Sequence, residues 1–111
     1  MVISDEINKQ IDDFITLCQE HSVKNLYAFG SSINDKFDYS KSDIDLLVEI
    51  DEIDPIAKGE KLLDLWDKFE NYFHRKVDLL TESSLKNPYL KSSIDSTKVR
   101  IYDGSRQKVL V

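Results

Sequence analysis

The sequence predicts an α/β protein of the α+β kind, in which a small mixed β-sheet is packed by helices. Three observations lead there. Short apolar runs at Val23–Phe29, Asp43–Ile50, Lys76–Leu80 and Lys98–Tyr102 have the length and residue types of strands. The stretches between several of them place apolar residues at helical spacing. The stretch from Asp54 to Phe73 is long enough for a helical crossover, so the strands on either side of it can lie in one sheet.

Taken in order, Ser4-Asp5-Glu6 supplies a cap and two acids at a helix start. Ile7, Ile11, Phe14, Ile15 and Cys18 follow on one stripe, which predicts a single first helix ending near His21-Ser22. Val23 to Phe29 is the first strand, Ser31 to about Asp35 a short helix, and Lys36 to Ser42 a polar loop. The second strand runs from about Asp43 to Ile50. Asp54-Pro55 then combines a capping acid with a proline at the first helical position. The helix it opens turns Leu62, Leu65, Trp66, Phe69 and Phe73 to the core. Asn87-Pro88 repeats the device before a shorter helix, and Asp103-Gly104 marks a turn after the last strand, with Lys108 to Val111 a further strand or a tail.

Composition narrows the function. The 111 residues suit one domain spanning 1–111, with a single core and no room for a separate recognition domain. A formal net charge of −6 argues against a surface that grips polynucleotide phosphates, which requires clustered Lys and Arg. No apolar stretch is long enough to span a membrane and no signal segment opens the chain, so no membrane association is expected and the expected location is cytoplasmic. The lone cysteine, Cys18, fits that location and reads as a small core residue.

The chemistry concentrates between Tyr27 and Ile50. Alternate residues of a strand share a face, so Asp43 and Asp45 should project together while Ile44 and Leu46 turn to the core. Two adjacent carboxylates repel, and a shared divalent cation relieves the repulsion, which points to Mg²⁺. Gly30 ends the preceding strand and lets backbone approach a ligand, while Ser31, with Ser32 after it, is expected to open a helix whose free N–H groups attract anions. A pair of cations needs a third carboxylate, and Asp78 is the best candidate, flanked by Val77 and Leu79 facing the core.

Gly30-Ser31, Ser42-Asp43-Ile44-Asp45-Leu46-Leu47-Val48 and Val77-Asp78-Leu79-Leu80 together resemble the minimal nucleotidyltransferases of the DNA polymerase β superfamily. The likeness extends through Pro88-Tyr89-Leu90 and Val99-Arg100-Ile101-Tyr102 and covers nearly the whole chain. The spacer from Ser32 to Ser42 is one residue longer than usual in that family and lacks its common glycine. The resemblance implies a nucleotidyltransferase fold and transfer of AMP from ATP with two Mg²⁺ ions. It assigns Asp43, Asp45 and Asp78 to metal binding and catalysis, and Gly30 and Ser31 to the nucleotide. It further implies an antitoxin whose partner is a HEPN-type ribonuclease toxin, adenylylated on a tyrosine. Transfer to a small molecule such as an aminoglycoside, or masking of the toxin by contact alone, are the alternatives.

The remaining polar residues have plainer readings. His21 is expected as a surface residue near a helix end, and His74-Arg75-Lys76 as a solvated one. Trp66, Phe69 and Phe73 read as core, and Lys36 and Lys41 flank the loop without a spacing that assigns them a role.

Overall fold

A computed structural model describes residues 2–33 and 43–111, apart from the side chains of Val2 and Ser31. Two helices, α1 (Val2–Lys9) and α2 (Ile11–Glu20), lead into strand β1 (Val23–Phe29) and a 3₁₀ turn at Gly30–Ile33. Strand β2 (Ile44–Ile50), helix α3 (Pro55–Phe73) and strand β3 (Val77–Leu80) follow. A 3₁₀ turn at Glu82–Ser84, helix α4 (Pro88–Thr97), strand β4 (Val99–Asp103) and the short β5 (Lys108–Val109) complete the chain. The five strands form one mixed sheet in the order β3-β2-β1-β4-β5. Among the described strands only the β2–β3 pair is parallel, and α3 is the crossover between them. The expected polar loop at Lys36–Ser42, with Lys36 and Lys41, lies outside the described residues, as do Asn34 and Asp35 of the expected short helix.

Each strand divides its residues between two faces. In β2, Ile44, Leu46, Val48 and Ile50 face the main core, where α1, α2 and α3 supply Ile3, Ile7, Phe14, Cys18, Leu65, Phe69 and Phe73. Phe14 sits at the centre of this core, stacked on Phe69 at 5.6 Å between ring centroids and edge-on to Tyr102 at 6.4 Å. Cys18 is fully buried there. On the opposite face a smaller cluster of Leu47, Leu85 and Ile94 seats α4 over the sheet, with Tyr27, Phe29 and Leu80 packed around it. The caps follow the sequence: Asp54 accepts from the Ile56 amide at the start of α3, and Asn87 accepts from those of Tyr89 and Leu90 at the start of α4.

Two expectations are corrected. The first helix is broken: α1 already begins at Val2, and the chain leaves helical geometry at Gln10, with φ −141° and ψ 56°. At the break the Tyr72 hydroxyl of α3 shares its one proton between Ile7 O at 3.1 Å and Gln10 O at 2.9 Å, carbonyls that also accept the Gln10 and Phe14 amides. His21 is also not a surface residue. It is 5% exposed, its Nδ1 donates to Leu17 O at 2.7 Å, and its Nε2 meets Asp64 Oδ2 at 2.6 Å, tying α2 to α3. His74, by contrast, is exposed and ends α3 in the left-handed region at φ 54°. Among the described residues no helix is long and apolar enough to cross a membrane.

Candidate active site

The mouth of the sheet is assembled from the end of β1 and the beginnings of β2 and β3. Phe29, the last residue of β1, is paired with Asp45, and Asp45 is in turn paired with Asp78 across the parallel β2–β3 ladder. Residues in register on neighbouring strands share a face. Asp45 and Asp78 therefore stand side by side on the α4 face of the sheet, away from the main core. The burial pattern agrees, since Ile44, Leu46, Val77 and Leu79 are buried while Asp78 is exposed and Asp45 half-buried. Asp43 precedes β2 by one residue and is exposed.

The same arrangement bears on the charge of Asp45. The Asp45 carboxyl is pushed up from 3.8 to about 6, first by burial, then by the negative charges of Asp78 and Asp43. Asp78 and Asp43 are thus both near enough to act on the Asp45 carboxyl. Among the described residues no three His, Cys, Asp or Glu side chains are already drawn together as a metal cage. The donor set nonetheless fits a hard divalent cation, because carboxylate oxygens from two neighbouring strands carry a repulsion that such an ion would relieve.

The turn after β1 closes against the same carboxylate. Gly30 has φ +64°, and a Cβ placed on it would lie 2.6 Å from Asp45 Oδ2, so only glycine permits this approach. Ser31 follows within the 3₁₀ turn. Ser32, which the sequence places only as the residue after Ser31 at the helix opening, is 1% exposed and its Oγ accepts the Asp45 amide at 2.9 Å. Nothing in a serine after a Gly-Ser pair signals a partner that far along the chain.

The start of β3 is held from the other side. Among the described residues its outer edge has no strand partner, but at Val77 the amide donates to Glu70 Oε2 at 3.0 Å and the carbonyl accepts Trp66 Nε1–H at 2.6 Å. Ile44 N donates to Lys76 O at 3.1 Å, which fixes β2 against β3 beside the two acids. Trp66 is partly buried against the core that its spacing predicts, and its indole N–H also anchors the strand bearing Asp78. A cleft of about 400 Å³ lined by Cys18, Ser22, Lys24, Asp51, Tyr102 and Gln107 lies at the opposite end of the sheet. It gathers no cluster of acids and is not the candidate site.

The family model described as nucleotidyltransferase domain matches residues 11–101. The chain belongs to this family. This nucleotidyltransferase is 35% identical over 85 residues to a Methanocaldococcus jannaschii protein named "Putative protein adenylyltransferase MJ1379", covering 77% of this chain and 83% of that one. A second protein of that organism, "Putative protein adenylyltransferase MJ0126", is 36% identical over the same length and with the same coverage. Among solved structures, a chain of a toxin-antitoxin crystal structure with AMP-PNP superposes with a TM-score of 0.62 at 21% identity, over 85% of this chain and 73% of that one. A chain from the complex of a tri-AMPylated Shewanella oneidensis HEPN toxin with MNT antitoxin gives a TM-score of 0.51 at 22% identity, over 86% and 71%. At that identity the structural likeness establishes the nucleotidyltransferase fold.

Proposed function

We propose that this nucleotidyltransferase transfers AMP from ATP to a hydroxyl of a protein, namely a tyrosine of a HEPN-type toxin, and so acts as an antitoxin. The observation that carries the chemistry is the register pairing of Asp45 with Asp78 beside Gly30, with Asp43 close enough to raise the Asp45 carboxyl further. The protein acceptor is supported by relatives named as protein adenylyltransferases, and the toxin by the shared fold with chains of toxin-antitoxin complexes.

The chemistry follows from charge placement. Asp43, Asp45 and Asp78 are the residues that would hold Mg²⁺, as one ion or a pair. Bound there, the metal would neutralise phosphate charge and ease deprotonation of the acceptor hydroxyl. Gly30 and Ser31 bring backbone up to the β- and γ-phosphates on the far side of Asp45. The acceptor oxygen forms a bond to the α-phosphorus as the bond from that phosphorus to the bridging oxygen breaks, and pyrophosphate leaves in line. Asp78, the exposed member of the pair, is the carboxylate that an acceptor arriving from solvent meets, and it takes the hydroxyl proton.

The test is incubation with Mg²⁺ and ATP labelled at the α-phosphate, with and without the product of an adjacent open reading frame. Label on that product, lost with Asp43→Asn, supports transfer. Neutralisation of a toxin that survives Asp43→Asn with no label on it would replace transfer by masking, and label on an aminoglycoside would move the acceptor to a small molecule.

A further inference from the structure

We propose that Ser32 is a positioning residue, whose buried hydroxyl holds the Gly30–Ile33 turn in fixed register with the Asp45 carboxylate. This rests on the reading of Asp45 and the Gly-Ser turn as the nucleotide centre. Successive amides of a strand point to opposite edges. Ile44 N donates towards β3, through Lys76 O, so the next amide, that of Asp45, points towards β1. There the chain leaves the sheet at Gly30, and the Asp45 amide donates to Ser32 Oγ at 2.9 Å.

Ser32 is 1% exposed, so water does not compete for this bond. Ile33, the next residue, packs partly against the main core and anchors the end of the turn. The turn is thereby fixed at three successive points: Gly30 against the Asp45 carboxylate, Ser32 on the Asp45 amide, and Ile33 in the core. If Gly30 and Ser31 hold phosphates while Asp45 holds the metal, the spacing between the two groups is what Ser32 sets. Displacements of about 1 Å in such a spacing cost on the order of 100-fold in rate.

Two variants separate the hydrogen bond from the volume. Ser32→Ala removes the acceptor, and Ser32→Cys keeps the size while substituting a weak one. Three quantities are measured on each: amide hydrogen exchange at Asp45, melting temperature, and affinity for α,β-methylene-ATP with Mg²⁺, an analogue uncleavable at the bond this reaction breaks. In both variants exchange at Asp45 is expected to rise about 10-fold, the equivalent of one hydrogen bond, with exchange at Leu47 unchanged. Affinity is expected to fall about 10-fold while the melting temperature stays within a few degrees. Unchanged exchange or unchanged affinity in both variants overturns the role of Ser32, as does loss confined to Ser32→Ala, which would make it a matter of packing. A fall in affinity matched by a large fall in melting temperature also overturns it. Failure of the unsubstituted protein to bind the analogue overturns instead the reading of the whole site.

Discussion

Asp45→Asn should stabilise the metal-free fold at neutral pH while ending nucleotidyl transfer. The Asp45 carboxyl is raised to about 6 in the folded protein, by burial and by Asp78 and Asp43, against roughly 3.9 in an unfolded chain. Below about pH 4 the group is protonated in both states and the difference has no effect on stability. As pH rises from about 4 to 6 the unfolded chain releases the proton first, so stability declines, and above about 6 the full penalty stands. At 1.36 kcal/mol per pH unit the penalty is at most about 3 kcal/mol. Asp45 is only half-buried, and solvent screening brings the expected value to about 1–2 kcal/mol. Asparagine preserves the shape against Gly30 and carries no charge. The assay is urea unfolding of both proteins in chelator at pH 7.5 and pH 3.5. Asp45→Asn should be more stable by about 1–2 kcal/mol at the higher pH and equal at the lower. Equal stability at both values, or a destabilised variant at pH 7.5, would show that burial and the neighbouring acids do not raise the Asp45 carboxyl as described.

Other consequences are open to direct measurement. Gly30→Ala puts a methyl 2.6 Å from Asp45 Oδ2 at a residue with φ +64°, so it should cost about 1–2 kcal/mol in urea and lower nucleotide affinity more than ten-fold, roughly. An alanine variant that binds nucleotide normally would contradict the close approach. His21→Ala removes the link from Leu17 O to Asp64 and leaves a cavity between α2 and α3, with an expected loss of about 2–3 kcal/mol by chemical denaturation. A loss under about 0.5 kcal/mol, as at an ordinary surface site, would restore the reading of His21 as a solvated helix end. Tyr72→Phe should cost about 1 kcal/mol and shift the backbone NMR signals of Ile7 and Gln10, because its hydroxyl serves both carbonyls. Unmoved signals would mean that the hydroxyl does not engage the two carbonyls at the break between α1 and α2.

Most of the sheet and its helices could be read from local pattern. The strand residues alternate between faces, and Asp54-Pro55 and Asn87-Pro88 carry their caps beside them, so β2, α3 and α4 begin within a residue of where the sequence puts them. What escaped was decided by residues far away in the chain. Ile3, Ile7, Phe14 and Cys18 keep one helical stripe across Gln10, so the pattern gives no sign of the break there, where Tyr72 from α3 reaches the backbone. His21 looks like any polar residue at a helix end until Asp64 is found against it. Ser32 is silent for the same reason, since its partner is an amide rather than a side chain. The acids were legible as a pattern of faces, Asp78 between Val77 and Leu79 and Asp45 between Ile44 and Leu46. That Asp45 and Asp78 would be direct neighbours depended on the β2–β3 register, which the sequence does not specify.

The most direct measurement is the anomalous scattering of manganese in crystals of the protein grown with Mn²⁺ and α,β-methylene-ATP. Manganese should lie among the carboxylates of Asp43, Asp45 and Asp78, with the triphosphate against Gly30 and Ser31. Metal bound away from those three acids, or nucleotide seated in the cleft beside Cys18 and Tyr102 at the other end of the sheet, would contradict the site described above.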